Sequence, residues 1–319
     1  MCFLFPKIEL LPTETRSFKG CRVFSYKELK DATAEFHEDN KLGKGGFGVV
    51  YKGTLSDGSE VAIKYLSQGS KQGNEEFMNE LASIIAIQHK NLVKLKGCCI
   101  HGEERLIVYE YLENKSLDLS LFGTSTMRVL DWKTRYNIAL GIARGLEYHH
   151  EQSEPRIVHR DIKAGNILLN KDFHPKISDF GLARFLPYDQ SCIETERMAG
   201  TMGYLSPEAM KGHITEKADV FSFGVLLLEI ISGMKKNDTR LQIDTQYIVD
   251  WAFQLREEGR RLELLDHKLD GEYDEREAMN VLNTALLCVN EVASLRPKMS
   301  DVVFMLNLST CTLTEECPL

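Results

Sequence analysis

Residues 157–169 read Ile157-Val158-His159-Arg160-Asp161-Ile162-Lys163-Ala164-Gly165-Asn166-Ile167-Leu168-Leu169, and Lys176-Ile177-Ser178-Asp179-Phe180-Gly181 follows closely. Taken singly, each Asp is an ordinary turn residue. In this order, with the Asn five residues after the first Asp, they form a set suited to positioning a substrate and neutralising charge. Phosphoryl transfer makes those two demands and asks for little covalent chemistry from the protein. Asp161 is the candidate acceptor of a substrate hydroxyl proton and Lys163 the candidate cation for the moving phosphoryl group. Asn166 and Asp179 are the candidate holders of Mg2+.

Upstream, Gly43-Lys44-Gly45-Gly46-Phe47-Gly48-Val49-Val50 contains G-x-G-x-x-G. Such a loop also serves dinucleotide folds and plain turns, and context decides. A dinucleotide site continues into a helix, whereas here Val49-Val50-Tyr51 continues as strand and is answered by Val61-Ala62-Ile63-Lys64. Glycines at a hairpin tip let backbone N–H groups approach phosphates without a Cβ clash. Lys64 is expected on the α and β phosphates, with Glu80 holding it. Glu80 lies three residues after Phe77 and four before Ile84, on the inward face of a helix. A solvated lysine and a surface glutamate would explain each residue alone and the pair poorly.

The coarse pattern is a small β-rich part followed by a larger α-rich part. Leu42 to Tyr51 and Glu60 to Tyr65 read as strands about an Asp57-Gly58 turn, and Glu75 to Ile87 as an amphipathic helix. Asn91 to Ile100 and Leu106 to Tyr111 read as strands. Trp132–Tyr148, Val220–Ile231, Tyr247–Glu258, Arg276–Val289 and Met299–Leu306 carry helical periodicity. Ahead of these, residues 1 to about 23 are unpatterned, and Phe24 to Leu29 reads as a short helix with a Ser cap and Glu three residues on.

The 319 residues are 43% hydrophobic and 27% charged, enough for a large globular domain or two lobes. With 39 basic and 47 acidic side chains the net charge is −8, which argues against nucleic acid or anionic lipid as a partner. The eight cysteines have no Cys-x-x-Cys spacing, and Cys98-Cys99 reads as buried small residues near a strand end. Scattered free thiols fit a reducing cytosol. Met1 to Phe5 is too short for a signal core or a membrane span, and Val225 to Ile231 is short and contains Glu229. Position 2 is not Gly and the terminal Cys317 sits one residue too late for prenylation, which leaves acylation of Cys2 or Cys21 as the route to a lipid anchor.

On these motifs the sequence resembles the eukaryotic protein kinases over about residues 36 to 308. Phe24-Ser25-Tyr26-Lys27-Glu28-Leu29, Asn91-Leu92-Val93-Lys94-Leu95, Val108-Tyr109-Glu110-Tyr111 and Asp179-Phe180-Gly181-Leu182-Ala183-Arg184 look like plant receptor-like kinases. These are relatives of the Pelle and interleukin-receptor-associated kinases, here of the leucine-rich-repeat or cysteine-rich receptor kinase subgroups. The resemblance implies an α+β bilobal fold. It has a small antiparallel β-sheet N-lobe with one key helix (36–112) and a mainly helical C-lobe (113–308), between a leader (1–35) and a tail (309–319). It implies an ATP-dependent Ser/Thr protein kinase that autophosphorylates, with Mg2+, or Mn2+ in its place, as cofactor. Protein substrates, an upstream receptor kinase and a cytoplasmic location, at the inner face of the plasma membrane if tethered, complete the expectation.

Carried over by motif, Tyr109 is the gatekeeper, and the Glu110 carbonyl and Leu112 N–H are hinge groups. Leu42, Val50, Ala62 and Leu168 sandwich the base, and Gly43, Gly45 and Gly48 cover the phosphates. Asp219 braces the catalytic loop, Glu208 pairs with Arg296, and Thr201 with Lys163 marks the Ser/Thr pattern. Arg160 beside Asp161 implies control by loop phosphorylation, with phospho-Thr195 docking on Arg160 and Arg184. The chain departs from the pattern at Gly165, usually Ser, at Ser206 in place of Ala, and at His149, usually Leu on an inward helix face. The aromatic residue that commonly follows Pro-Glu is missing after Glu208, which bears on the substrate-facing loop and its peptide preference. The rival reading is a pseudokinase or scaffold acting by binding, disfavoured by the presence of Lys64, Glu80, Asp161, Asn166 and Asp179.

Overall fold

The computed structural model describes residues 21–45, 48–66, 71–123, 129–187, 190, 192–195, 198–238 and 247–308. The expectations for the leader to residue 20 with Cys2, for Gly46-Phe47, and for the tail 309–319 with Cys311 and Cys317 lie outside the described residues. The chain divides into two units. One holds the residues up to Gln88 together with Val93–Tyr111, and the other holds His89–Leu92 together with the chain from Leu112 onward.

The first unit is built on strands β1 (Arg22–Val23), β2 (Lys41–Gly45), β3 (Gly48–Thr54), β4 (Glu60–Leu66), β5 (Leu95–His101) and β6 (Glu104–Glu110). They form one sheet in the order β1-β5-β6-β4-β3-β2, antiparallel except where β1 joins β5. The Asp57-Gly58 turn joins β3 to β4 as its residues require. Gly58 has φ +82, and the Asp57 carboxylate accepts both the Ser59 N–H (2.9 Å) and the Ser59 hydroxyl (2.6 Å). Leu42 to Tyr51, read as one strand, is two antiparallel strands, with Gly43 opposite Val50 and Gly45 opposite Gly48. Periodicity failed there because the glycines that break the strand carry no side chain to mark a face.

Two helices complete this unit, α1 (Tyr26–Ala32) and α2 (Lys71–Ala86). Ser25 caps α1 by accepting the Glu28 N–H at 3.1 Å, while the Glu28 carboxylate pairs with Arg22 at 2.7 Å instead of turning back to the cap. Phe24 and Leu29, from the stretch read as leader, are buried with Val61, Ile63, Cys99, Leu106 and Val108. Cys98 and Cys99 are buried as expected, but in the middle of β5 and not at its end. The strand expected from Asn91 starts only at Leu95. Asn91 and Leu92 turn to the second unit, where Asn91 Nδ2 donates to the Pro175 carbonyl at 3.0 Å and Leu92 bridges Ile177.

The second unit is mainly helical: α3 (Leu117–Phe122), α4 (Trp132–Glu147), α5 (Pro207–Met210), α6 (Glu216–Ser232), α7 (Ile248–Glu257), α8 (Glu275–Cys288) and α9 (Met299–Leu308). The long helices lie where apolar spacing put them, and α6 is buried along most of its length. Asp131 caps α4 and Thr215 caps α6, which ends at Gly233 in the left-handed region. Three short strand pairs carry the loops between helices: β7 (Arg156–Val158) with β10 (Arg184–Leu186), β8 (Ile167–Leu169) with β9 (Pro175–Ile177), and β11 (Ile193–Glu194) with β12 (His213–Ile214). These and α3 are too short to announce themselves in sequence. Arg135 of α4 ties the helices together. It donates to Asp266 at 2.6 Å, to the Ile230 carbonyl and to the Leu130 carbonyl, all buried.

His149 follows α4 in a π-type turn, Tyr148–Gln152, and is fully buried. Both its ring nitrogens lack a hydrogen-bond partner, and its ring meets Phe180 edge-on at 5.2 Å between centroids. Burial, then the neighbouring His159, His150 and His89, hold it neutral well below the usual value of 6.5. Below that value the unfolded chain takes up a proton that the folded chain refuses, so stability falls as pH drops. His149→Leu is expected to raise stability by about 1–3 kcal/mol and to flatten the loss of stability between pH 7.5 and 5.5. Urea unfolding at both pH values checks this; equal midpoints and equal pH sensitivity would contradict it.

Candidate active site

In the first unit, β4 places Lys64 and α2 places Glu80, both buried, with Lys64 Nζ donating to Glu80 Oε2 at 2.7 Å. The other carboxylate oxygen, Oε1, accepts from the Tyr109 hydroxyl on β6. Glu80 is thereby shared between a strand lysine and a strand tyrosine, a link that sequence spacing did not reveal. Helix spacing fixes the inward aim of Glu80, because Phe77 and Ile84 on the same face are also buried.

Around this pair lie the residues assigned to the nucleotide. Ala62 stands opposite Tyr109, and Val50 opposite Lys64. Leu42, Val50 and Ala62 are half-buried, and Gly43 and Gly45 are exposed with open space where a Cβ would sit. Gly48 is different: at φ +137 a Cβ would lie 2.2 Å from the Tyr65 carbonyl oxygen, so only glycine fits. Glu110 is fixed to Lys94 twice, its N–H donating to the Lys94 carbonyl (3.0 Å) and its carboxylate accepting the Lys94 N–H (2.8 Å).

In the second unit the catalytic-loop candidates gather around one carboxylate. Asp161 Oδ2 accepts from Lys163 Nζ at 2.7 Å and from Asn166 Nδ2 at 2.9 Å. Its Oδ1 accepts from the Thr201 hydroxyl at 2.6 Å, and that hydroxyl in turn accepts from Lys163 at 2.9 Å. Asn166 Nδ2 also donates to the Asp161 carbonyl at 2.8 Å. With the amide nitrogen committed to Asp161, Oδ1 is the Asn166 atom left over for a hard cation. Asp179 stands at φ +68 at the head of the single turn Phe180–Leu182, and Leu168 is half-buried on β8, while Leu112 is buried.

A second buried carboxylate holds the loop in shape. Asp219 Oδ2 accepts the His159 N–H at 2.7 Å and faces His150 Nε2 at 3.0 Å, and Oδ1 accepts the Arg160 N–H at 2.8 Å. Burial raises the Asp219 carboxyl, and the hydrogen bonds from His150 and from the His159 N–H outweigh it and keep the carboxyl below the usual range. Arg160 needs that support because its φ is +71, an uncommon conformation for a residue with a Cβ. His159 accepts the Asp161 N–H on Nδ1 (3.2 Å), so its proton sits on Nε2, 3.0 Å from the Ser178 carbonyl.

The proposed regulatory residues sit near these loops. Arg160 donates to the Leu182 carbonyl at 3.4 Å and Arg184 to the Ala183 carbonyl at 2.9 Å. The Thr195 N–H donates to the Gly212 carbonyl at 2.9 Å, and a Cβ on Gly212 would lie 2.2 Å from the Thr195 oxygen. Sequence reasoning missed a further group. Tyr204 donates to Glu229 at 2.5 Å, Glu229 also accepts the Lys236 N–H at 2.8 Å, and burial pushes the Glu229 carboxyl up to about 7 against those bonds. The signal was present as a lone acid inside the apolar run Val225–Ile231.

A family description, protein tyrosine and serine/threonine kinase, matches residues 36–306. The chain belongs to that kinase family. A probable LRR receptor-like serine/threonine-protein kinase of Arabidopsis thaliana is 55% identical over 286 residues, 89% of this kinase and 27% of the relative. Another of that description is 51% identical over 300 residues, 94% of this kinase and 28% of the relative. Cold-responsive protein kinase 1 of Arabidopsis thaliana is 48% identical over 297 residues, 92% of this kinase and 76% of the relative. The kinase thus spans about a quarter of the length of the receptor-like relatives. Its six-stranded sheet followed by a helical part is the α+β fold class that the resemblance implied. Among the described residues no helix is long and apolar enough to cross a membrane.

The departures at the Pro-Glu segment have local accounts. Ser206 caps the one-turn α5 by accepting the Ala209 N–H at 3.3 Å. Glu208, although followed directly by Ala209, forms a two-pronged pair with Arg296 at 2.6 and 2.9 Å. At Gly165 nothing in the surroundings forbids a side chain, since the nearest atom is 3.9 Å from a Cβ. The Arg296 side chain is fully buried, so removing its partner strands a charge. Glu208→Leu is expected to cost about 3–5 kcal/mol, read as a lowered urea midpoint. An unchanged midpoint would show that the other Arg296 contacts suffice.

Proposed function

We propose that this kinase transfers the γ-phosphate of ATP to Ser and Thr hydroxyls of protein substrates and phosphorylates itself. The observation that carries the reading is the Asp161 carboxylate shared by Lys163, Thr201 and Asn166. A carboxylate held on both oxygens by a cation and two neutral donors is aimed, which is what a proton acceptor for a substrate hydroxyl needs. Lys163 stands beside it to offset charge gathering on the moving phosphoryl group. Lys64, held by Glu80, serves the α and β phosphates, and Leu42, Val50, Ala62, Tyr109, Glu110, Leu112 and Leu168 serve the base. Arg160, Arg184 and Thr195 form the regulatory set, with Thr195 as the phosphorylated residue.

The divalent cation is read as Mg2+, held by Asn166 and Asp179. The donor set fits: one amide oxygen and one carboxylate are hard oxygen ligands, and among the described residues no cluster of three His, Cys, Asp or Glu offers a self-sufficient cage. Mg2+ typically takes one or two protein oxygens and completes its shell with phosphate and water. When bound, it neutralises phosphate charge. The Ser/Thr assignment follows the names of the receptor-like relatives, and the site of action is read as cytoplasmic, under an upstream receptor kinase.

Asp161→Asn is expected to cut phosphate incorporation from radiolabelled ATP by at least ~100-fold with an unchanged circular dichroism spectrum. Equal incorporation by both proteins would contradict the role given to Asp161, and incorporation no higher than background by both would make the chain a binding scaffold. Phosphosite mapping after incubation with ATP and Mg2+ is expected to find Ser and Thr only, Thr195 among them, and Thr195→Ala to lower activity. Full activity of Thr195→Ala, together with full activity of Arg160→Gln, would remove the regulatory part of the reading and leave the catalytic part standing.

A further inference from the structure

Cys21 directly precedes β1, which pairs in parallel with β5 so that Arg22 faces Gly97 and Val23 faces Cys98. Cys21, one residue before β1, is thereby brought alongside Cys98. Their sulfur atoms are 3.8 Å apart, in hydrogen-bond contact across 77 positions of sequence. The neighbouring Phe24 anchors the arrangement, with its N–H on the Cys98 carbonyl at 2.9 Å and its ring in the core. Cys98 is fully buried and Cys21 half-buried, so one thiol is fixed and the other accessible.

We propose that Cys21 and Cys98 are a redox pair, closed to a disulfide by a hydroperoxide and reopened by thiol reductants. The two residues divide the work. Cys21 is the accessible sulfur of the two and so the one that meets the peroxide, and the hydrogen bond from Cys98 favours it by lowering it below the ordinary thiol value against the opposing effect of burial. The Cys21 sulfur attacks the terminal peroxide oxygen and the O–O bond breaks, leaving a sulfenic acid on Cys21 and releasing hydroxide from hydrogen peroxide or an alkoxide from an organic hydroperoxide. The Cys98 sulfur then attacks the sulfenic sulfur. The S–S bond forms, the S–O bond breaks, and the thiol proton leaves with the hydroxyl as water. Two electrons have passed from the two thiols to the peroxide.

A disulfide needs sulfur atoms about 2.05 Å apart, so closure draws Cys21 toward a strand that is already packed. The closed loop contains β2 to β4 and α2, and with them Lys64 and Glu80. Cys99 is the built-in control. It points to the opposite face, among Phe24, Leu29 and Val61, and burial pushes its thiol up to about 11. In a reducing compartment such a bond is transient, as redox-sensing disulfides are. The inference does not depend on the kinase reading.

The test treats the full chain with low hydrogen peroxide, alkylates free thiols, digests without reductant and maps peptides by mass spectrometry. A Cys21–Cys98 linked peptide is expected, lost on adding dithiothreitol, with a melting temperature roughly 5–10 °C higher in the oxidised protein. Cys21→Ser should abolish both signals, and Cys99→Ser should keep both. Separately alkylated Cys21 and Cys98, Cys21 joined to another cysteine, or Cys21 driven to sulfinic acid without a crosslink would each overturn the proposal. Cys21→Ser alters a half-buried position outside any strand, so it keeps the test decisive should Cys98→Ser fail to fold.

Discussion

A carboxylate sealed from water must find every hydrogen bond inside the protein, and Asp219 does so by seizing the backbone of another segment. With His159, Arg160 and His150 all directed at its two oxygens, the chain from 159 to 161 has one conformation available. That conformation puts Arg160 in the left-handed region, which the backbone alone would not choose. The orientation of the Asp161 carboxylate, and its links to Lys163, Asn166 and Thr201, follow from it. The geometry of the candidate catalytic loop is therefore underwritten by a residue on α6 that bonds to the loop backbone beside Asp161.

The first unit uses the same device in another form. Glu80 divides its carboxylate between Lys64 and Tyr109, so a helix is joined to two strands through one buried acid. Both constellations place charge in low-dielectric surroundings and satisfy it by design of the neighbours. His149 is the counterexample. Its imidazole is buried with neither nitrogen partnered, and its contacts are with the rings of Phe180 and Tyr148, which offer no hydrogen bond. The same region of sequence thus holds one histidine, His150, that works on Asp219 and one that is a stability liability.

Periodicity made the long elements legible. α2, α4, α7 and α8 each repeat apolar residues often enough to define a face, and α6 is apolar on nearly every side. It failed where the elements are short or where glycine erases the face. The stretch from Leu42 to Tyr51 became two strands, α3 went unseen, and Asn91 to Lys94 was read as strand although Asn91 and Leu92 are committed to Pro175 and Ile177. The catalytic candidates were legible because each motif is a fixed string of local residues. Tyr109 with Glu80, Tyr204 with Glu229, and Cys21 with Cys98 were not, because each joins residues 25 to 77 positions apart.

The sequence by itself determined which chemical groups exist and how they are ordered: a glycine loop, a lysine, a helical acid, a catalytic-loop acid with its asparagine, and a second acid before Phe-Gly. Those follow from side-chain identity and spacing, which are local. The tertiary structure alone decided which donor faces which oxygen, that Thr201 and Lys163 share Asp161, that Glu229 is buried beside Tyr204, and that two thiols remote in sequence touch. Such contacts depend on strand register and helix packing, which are set by burying the whole core at once and leave no mark on any short window of residues.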